Sequence, residues 1–160
     1  DMLFADTGCS KRFYDKGWNG DDLSYQDGHI CFVSARLDHH FDSRTYARIL
    51  GTLSHEDTAM DHLDSLTKSG GVGLYREIPF GISLYLQALF SDVAFKGNHP
   101  AAVYARHDQR WDFSVNVTKR DLDIFGFAPM VQYTYTTNNS NIPFHDYDAH
   151  GVNLTLTKRF

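Results

Sequence analysis

The sequence predicts an all-β fold, an antiparallel transmembrane β-barrel of which about eight strands are present. Apolar and polar residues alternate in segment after segment, long polar connections alternate with short ones, and residues 151–160 alternate strictly and finish on Phe160. Strict alternation is typical of a strand with one apolar face, and bacterial outer-membrane barrels usually end on such a strand. A soluble β protein could end the same way, so those ten residues alone leave both folds open.

Composition narrows the class of protein. The 160 residues predict one domain, residues 1–160. The mean hydropathy of −0.40, with no run of about 20 apolar residues, excludes a helical membrane protein. Aromatic residues are abundant at 14%, and the net charge of −5 without a basic block argues against nucleic-acid binding. The chain opens on Asp1 without a signal peptide, so we expect a processed protein or a piece of a longer one.

The first three predicted strands cover residues 2–14, 29–38 and 44–55. The first alternates weakly and leads into a polar loop, 15–28, rich in Asp, Gly and Asn. The second and third carry apolar residues at every other position, which predicts one apolar face on each. A short link, 39–43, joins them, and an acidic loop, 56–65, follows.

Strands four to six are predicted at residues 66–78, 82–95 and 107–120. The fourth contains three glycines, which mark tight bending or close backbone approach, and the turn Pro79-Phe80-Gly81 joins it to the fifth. A polar loop opens at Lys96. The sixth has the clearest alternation, with Trp111, Phe113, Val115 and Val117 on one face and Arg110, Asp112, Asn116 and Arg120 on the other.

Strands seven and eight are predicted at residues 125–137 and 151–160, separated by a long polar loop, 138–148. If the C-terminal end lies in the periplasm, counting backwards places every long loop outside and every short turn inside, as in transmembrane barrels. We therefore expect the apolar faces to meet lipid, and Arg110, Asp112, Asn116 and Arg120 to face the lumen. Aromatic residues near strand ends, such as Phe125, suit interface girdles.

The two cysteines, Cys9 and Cys31, match no zinc-binding spacing. They fall on neighbouring predicted strands with matching parity, which allows a cross-strand disulfide in an oxidising periplasm. Two unpaired small hydrophobic residues are the alternative.

The second half of the chain resembles the C-terminal barrel of the surface lipoprotein assembly modifiers. The segments that carry the resemblance are residues 79–83, residues 122–129, and residues 139–144 continuing to Tyr147 and the Thr-Lys-Arg-Phe end. The resemblance is clear over residues 74–160, is compatible in strand spacing but weaker in residue identity over 29–73, and does not extend before residue 29. Gly151, Leu154, Leu156 and Phe160 also resemble the signal that the barrel assembly machinery reads, with a departure at Lys158.

The resemblance implies a Gram-negative outer-membrane protein with a periplasmic tetratricopeptide-repeat domain and a fourteen-stranded barrel, of which this chain is the C-terminal part. It implies assistance in moving lipoproteins or related binding proteins to the cell surface. The implied partners are outer-membrane lipid, the barrel assembly machinery, upstream barrel strands, and a cargo lipoprotein or haem- or iron-binding protein. A small barrel closed by these eight strands, or a passive porin-like channel, is the alternative.

No catalytic or metal site is expected. There is no nucleophile motif, and His107 and Asp108, as neighbours on a strand, point to opposite faces. The histidine- and aspartate-rich segments at 38–42 and 55–64 are interpreted as solvated polar connections, and no cofactor is predicted. The candidates for external contacts with cargo are Asn139, Asn141, Phe144, His145 and Tyr147.

Overall fold

Eight β-strands form one antiparallel sheet in which each strand pairs with its neighbours in the chain. The computed structural model describes residues 1–13, 27–122 and 125–158. The strands are β1 (Met2–Arg12), β2 (Gly28–Asp42), β3 (Thr45–Thr58), β4 (Ser65–Ile78), β5 (Ile82–Asn98), β6 (Ala105–Lys119), β7 (Phe127–Ser140) and β8 (Tyr147–Lys158), with a short 3₁₀-helix at Pro143–His145. The all-β antiparallel prediction is confirmed.

Within the described ranges, no helix is long and apolar enough to cross a membrane.

The sheet is open. In the part of the chain that the structure describes, β1 pairs with β2 alone and β8 pairs with β7 alone. Two edges therefore keep unpaired backbone N–H and C=O groups, which readily accept another strand.

Several strands extend further than alternation predicted. β2 continues to Asp42, so His39 and His40 lie in a strand and the predicted link at 39–43 is wrong in its extent. β7 continues to Ser140 and β8 already begins at Tyr147. The reason is that ladder hydrogen bonds use backbone groups, so polar residues remain paired wherever the opposite strand supplies partners.

The connections fall at two ends of the sheet. We call one the loop end (59–64, 99–104 and 141–146, with Phe13 after β1 and Asp27 before β2) and the other the turn end (43–44, 79–81, 120–122 and 125–126). The predicted alternation of long and short connections holds up to β6. It fails at 120–126, because β6 stops at Lys119 and β7 starts only at Phe127.

The two faces of the sheet reverse the pattern of a water-soluble sheet, in which the apolar face is the buried one. Among the described residues, the buried hydrophobic ones are Ala128 and Ile142, whereas the buried polar ones are Asp38, Asp64, Ser65, Ser83, Ser91, Asp108 and Asn138. Large apolar side chains are exposed instead, including Val72 at 57% and Leu154 at 74%. The hydrogen-bonded interior of this fold therefore lies on its polar face.

The apolar band runs obliquely across the paired strands. One row of directly paired residues is apolar in β2 and β3 and polar afterwards: Val33, Leu53, Lys68, Asp92, Gln109. A row nearer the turn end shows the opposite order: Thr45, Arg76, Leu84, Val117, Val131, Leu154. Strands that tilt by about 35–45° relative to a flat apolar layer produce such a shift.

Candidate functional site

The polar face carries a largely buried ion pair between β2 and β3. Asp38 and Arg48 are directly paired in the register, and the guanidinium donates two hydrogen bonds to the carboxylate, at 2.7 and 2.9 Å. Arg36 approaches the same carboxylate at 3.4 Å. Asp38 is only 4% exposed, and such a buried carboxylate is stable only when paired. The two arginines therefore compensate the buried charge of Asp38.

The four residues predicted to face a lumen all lie on this polar face. Arg110 donates to Asp112 at 2.9 Å, and the Thr136 hydroxyl donates to the same carboxylate at 2.7 Å. Arg120 forms an ion pair with Glu77 at 2.6 Å. Three of the four candidates are thus held in ion pairs, so they present neutralised pairs to the interior. That this interior is a lumen stays a prediction.

A hollow lined by tyrosines lies next to the fourth candidate, Asn116. The rings of Tyr46 and Tyr75 stack with centroids 5.0 Å apart, and the Arg48 guanidinium lies 5.4 Å from the first ring and 5.7 Å from the ring of Tyr85. The cavity measures about 300 Å³ and is lined by Tyr46, Arg48, Tyr75, Ser83, Tyr85, Asn116, Thr118 and Met130. Sequence reasoning missed this hollow.

A glycine in β4 makes room for the hollow. A Cβ on Gly73 would lie 2.6 Å from the Tyr85 hydroxyl oxygen, so only glycine lets that ring lie across the strand. The Tyr85 hydroxyl is buried and has no hydrogen-bond partner in the described residues. The sequence carries a signal for this hollow: three consecutive strands each have a tyrosine at an inward position, and a glycine lies opposite. The signal can be recognised only when the register between the strands is known.

A histidine cluster joins two connections at the loop end. The Nε2 atoms of His99 and His145 lie 3.3 Å apart, and Arg106 Nη1 lies 3.4 Å from the same atom of His145. The Ala101 N–H donates to His99 Nδ1 at 3.1 Å, so neutral His99 carries its proton on Nε2 and donates it to His145. Burial, and then the adjacent Arg106, lower the pKa of His145.

The five predicted external residues divide into two groups. Asn141, Phe144 and His145 lie in the connection 141–146, whereas Asn139 belongs to β7 and Tyr147 opens β8. Placing those two in a loop was wrong, because the β6–β7 and β7–β8 ladders continue through them. The side chain of Asn141 accepts from His107 N–H and donates to the Ala105 carbonyl, both at 2.8 Å. It therefore fixes the start of β6.

Asp64 organises the connection 59–64, which the sequence presented as a solvated acidic loop. Its carboxylate accepts the Thr58 N–H at 2.6 Å and lies 3.3 Å from Lys96 Nζ. Burial raises the pKa of this carboxyl, but the bonds from Thr58 and Lys96 outweigh it, and the net pKa is lowered. No group of three or more metal-ligating side chains occurs in the ranges that the structure describes.

Cys9 and Cys31 are directly paired in the β1–β2 register and form a disulfide, with their Cα atoms 4.1 Å apart. The parity of the two positions was visible in the sequence, and the structure shows that they are also opposite each other. The bond ties β1 to the sheet near the loop end.

The predicted assembly signal lies on the free edge strand, β8. Leu154 and Leu156 share the apolar face with Val152, and Gly151 lies on the polar face, where a Cβ would approach the Thr134 hydroxyl within 2.6 Å. Phe160 lies outside the described residues. Recognition of these residues by an assembly machinery stays a prediction.

The comparisons with known proteins agree with this geometry. No curated protein and no solved structure matches the chain. A family model described as "Surface lipoprotein assembly modifier" matches residues 10–160. The match starts well upstream of residue 74, where the clear resemblance in the sequence began, and includes the end of β1 and all of β2–β8. A match over nearly the whole open sheet, with its buried polar face, shows that the chain belongs to the surface lipoprotein assembly modifier family.

Proposed function

We propose that this chain forms part of the wall of a Gram-negative outer-membrane β-barrel that helps deliver lipoproteins, or related secreted binding proteins, to the cell surface. One observation carries the membrane placement: the sheet buries carboxylates, hydroxyls and amides on one face and exposes large apolar side chains on the other. Exposing such a band to water is unfavourable. Lipid is the solvent that suits it.

The oblique apolar band supports the same placement. In a water-soluble protein, the apolar residues of a sheet can form a patch of any shape, because other parts of the protein cover them. In a bilayer the apolar band must have constant depth, so tilted strands carry it obliquely. In this orientation the loop end is external and the turn end is periplasmic. The polar face then lines the inside of the barrel.

The open edges support a barrel larger than eight strands. A bilayer does not tolerate unpaired edge groups, so β1 and β8 need partner strands. We propose that strands from upstream in the same polypeptide supply them, in a barrel of fourteen. Closure of β1 on β8 is the alternative. Cysteine pairs placed across β1 and β8 in the full-length protein distinguish the two, because a disulfide forms only if these strands are neighbours.

The proposed role involves binding and guidance, without covalent chemistry. The proposed partners are outer-membrane lipid, the barrel assembly machinery and a cargo lipoprotein or haem- or iron-binding protein. Support for a surface lipoprotein as cargo comes from the description of the family. Support for passage of the cargo along the inside of the barrel comes from the polar face. Paired charges there, such as Arg110 and Asp112, offer a hydrogen-bonding surface of low net charge.

Surface display of a lipoprotein encoded beside the gene tests the proposal. Antibody labelling of intact cells should fall when the gene is deleted and recover when it is restored, while the total amount of lipoprotein stays constant. Normal labelling without the gene, together with ion conductance of the purified protein in planar bilayers, would support a passive channel instead.

A further inference from the structure

The turn end carries three strongly exposed phenylalanines, one at each connection. Phe41 lies at the end of β2, Phe80 at the tip of 79–81 and Phe125 in 120–126, and their exposed fractions are 62%, 84% and 97%. Exposed phenylalanine at two turns of one end is unusual, because polar turn residues dominate such positions. Phe80 and Phe125 extend beyond the last paired residues of their strands, whereas Phe41 lies at the irregularity of β2 just before the last pair, Asp42 with Thr45.

Two of these phenylalanines also adopt an unfavourable backbone conformation. Phe80 has φ of 65° and Phe125 has φ of 55°, and each precedes a glycine that also has positive φ. The left-handed region is costly for bulky side chains and tolerated by Gly, Asn and Asp. Phenylalanine at both positions thus costs conformational energy that the isolated turns do not recover by packing, since both rings are exposed.

The distance from the apolar band places the tips at a defined depth. Phe80 is two residues from Ile78 and Ile82, the last outward-facing apolar residues of β4 and β5. At about 3.3 Å per residue the tip lies at most about 7 Å beyond them. The headgroup layer is roughly 5–8 Å thick on each side of a bilayer. The tips therefore fall inside this layer, short of the aqueous periplasm.

Basic side chains surround these tips. Arg44 follows Phe41 in the first turn, and Arg76 lies on the apolar face of β4; both are exposed. Arg76 interacts electrostatically with the Asp42 carboxylate at the end of β2. Lys119 holds the carbonyl of Phe80 and pairs with Asp121 at 2.6 Å. The Arg44 guanidinium at the turn suits phosphate groups, with which arginine forms bidentate bonds. Arg76 lies two residues from Ile78 towards the apolar band, and its long side chain reaches the headgroup layer by extending along the apolar surface.

We propose that the turn end is an anchoring surface for anionic phospholipid, in which Phe41, Phe80 and Phe125 enter the headgroup–acyl boundary and Arg44 and Arg76 bind lipid phosphate. The proposal rests on the membrane placement proposed above and adds the ligand of this end. A periplasmic protein docked on the same phenylalanines is the competing outcome.

Photocrosslinking in the full-length protein tests it. p-Benzoylphenylalanine replaces Phe80 or Phe125 in protein reconstituted in phosphatidylglycerol–phosphatidylethanolamine vesicles, and in cells. Phe113, in the apolar band, and Phe144, at the loop end, are the matched control positions. We expect phospholipid adducts at positions 80, 113 and 125 and none at 144. Phospholipid adducts at position 113 without any at 80 and 125 overturn the anchoring surface but leave the membrane placement intact. Protein adducts at 80 and 125 have the same consequence. Absence of adducts at 113 overturns the membrane placement itself.

Two sets of variants measure how much the phenylalanines contribute to membrane insertion and how much the arginines contribute to the preference for anionic lipid. Phe80→Asn and Phe125→Asn relieve the backbone strain, so stability in detergent should be unchanged or higher while insertion into vesicles slows several-fold. Arg44→Gln and Arg76→Gln should each lower the preference for anionic over zwitterionic vesicles about fivefold. Equal partitioning into both kinds of vesicle before and after substitution overturns phosphate binding.

Discussion

Val72 and Gly73 are neighbours in β4, yet they lie in opposite surroundings. Val72 points outward, more than half exposed, into an apolar groove with Leu74, Leu86 and Phe113. Gly73 points inward and lies against the Tyr85 hydroxyl. The outer face is apolar here, whereas the inner face is polar and leaves no space for a Cβ at Gly73. Two adjacent residues of one strand thus differ in both polarity and available space, as the proposed contact with lipid on one face and a polar interior on the other would require.

The largest effect should come from the inner ion pair. Arg48→Met leaves the buried Asp38 carboxylate without its bidentate partner, and breaking such a pair costs about 3–5 kcal/mol. We expect about 3 kcal/mol of lost unfolding free energy, because Arg36 remains near the carboxylate. Gel electrophoresis separates folded from unfolded protein, and the folded fraction as a function of urea concentration measures this loss. Lys68→Met, which removes an exposed charge on the outer face, should have almost no effect; similar losses from both variants would contradict the comparison.

The second effect concerns charge on the outer face. Val72→Arg places a cation in the middle of the apolar band and should cost about 2 kcal/mol of folding free energy in bilayers. Thr52→Arg is the inner control, because Thr52 borders a cavity of about 400 Å³ whose partly polar lining includes both Asp6 and Arg36. Equilibrium folding into vesicles measures both. If Val72→Arg folds as well as wild type in bilayers, the apolar face does not meet lipid.

The third effect compares two adjacent glycines of β4. A Cβ on Gly71 would lie 2.7 Å from the Ala88 carbonyl oxygen, whereas the nearest atom to a Cβ on Gly70 lies 3.9 Å away. Gly71→Val should therefore cost about 1–2 kcal/mol through overpacking, and Gly70→Val should be neutral. The same urea titration measures the difference. Equal stability of the two variants would show that the inner face has spare room.

The smallest effect is a pH response at the loop end. The lowered pKa of His145 means that the closed cluster favours the neutral imidazole. The groups facing it are His99, Arg106 and Asp108. The contact should be complete above about pH 6.5, the ordinary histidine value, and weaken as the pH falls below it, because the open form binds the proton more readily.

Hydrogen exchange of backbone amides in 99–104 and 141–146 measures this response. Exchange should become faster, after correction for intrinsic rates, between pH 7.5 and 5.5. His145→Gln should remove the pH dependence. A wild-type profile that is flat over this range would show that the histidines do not hold the two connections together.

The sequence was informative wherever the signal is local. A period of two assigned Trp111 and Asp112 to opposite faces, because alternation is a property of the strand itself. Strand ends such as His39 and Tyr147 were misplaced, since backbone pairing there depends on the neighbouring strand and not on side-chain polarity. The position of Phe80 at a turn was predicted, but its left-handed backbone was not.

Contacts between distant parts of the chain were beyond sequence reasoning. The packing of the Tyr85 ring over Gly73 depends on the β4–β5 register. His99 contacts His145, which lies 46 residues further along the chain. The burial of Asp64 also depends on Lys96, which comes from another strand. These sites are defined by tertiary placement, and no local pattern distinguishes their residues from ordinary polar ones.

The strictly sequential strand order has a kinetic consequence. Every described strand pairs with its neighbours in the chain, so the sheet can grow one hairpin at a time, with small loop-closure entropy at each step. Low contact order of this kind favours fast assembly. In the barrel proposed above, the exception is the final seam, where β8 would meet a strand far away in sequence. Until that seam formed, the growing sheet would expose an unpaired edge, so β8 would need shielding by another protein until the last step of assembly.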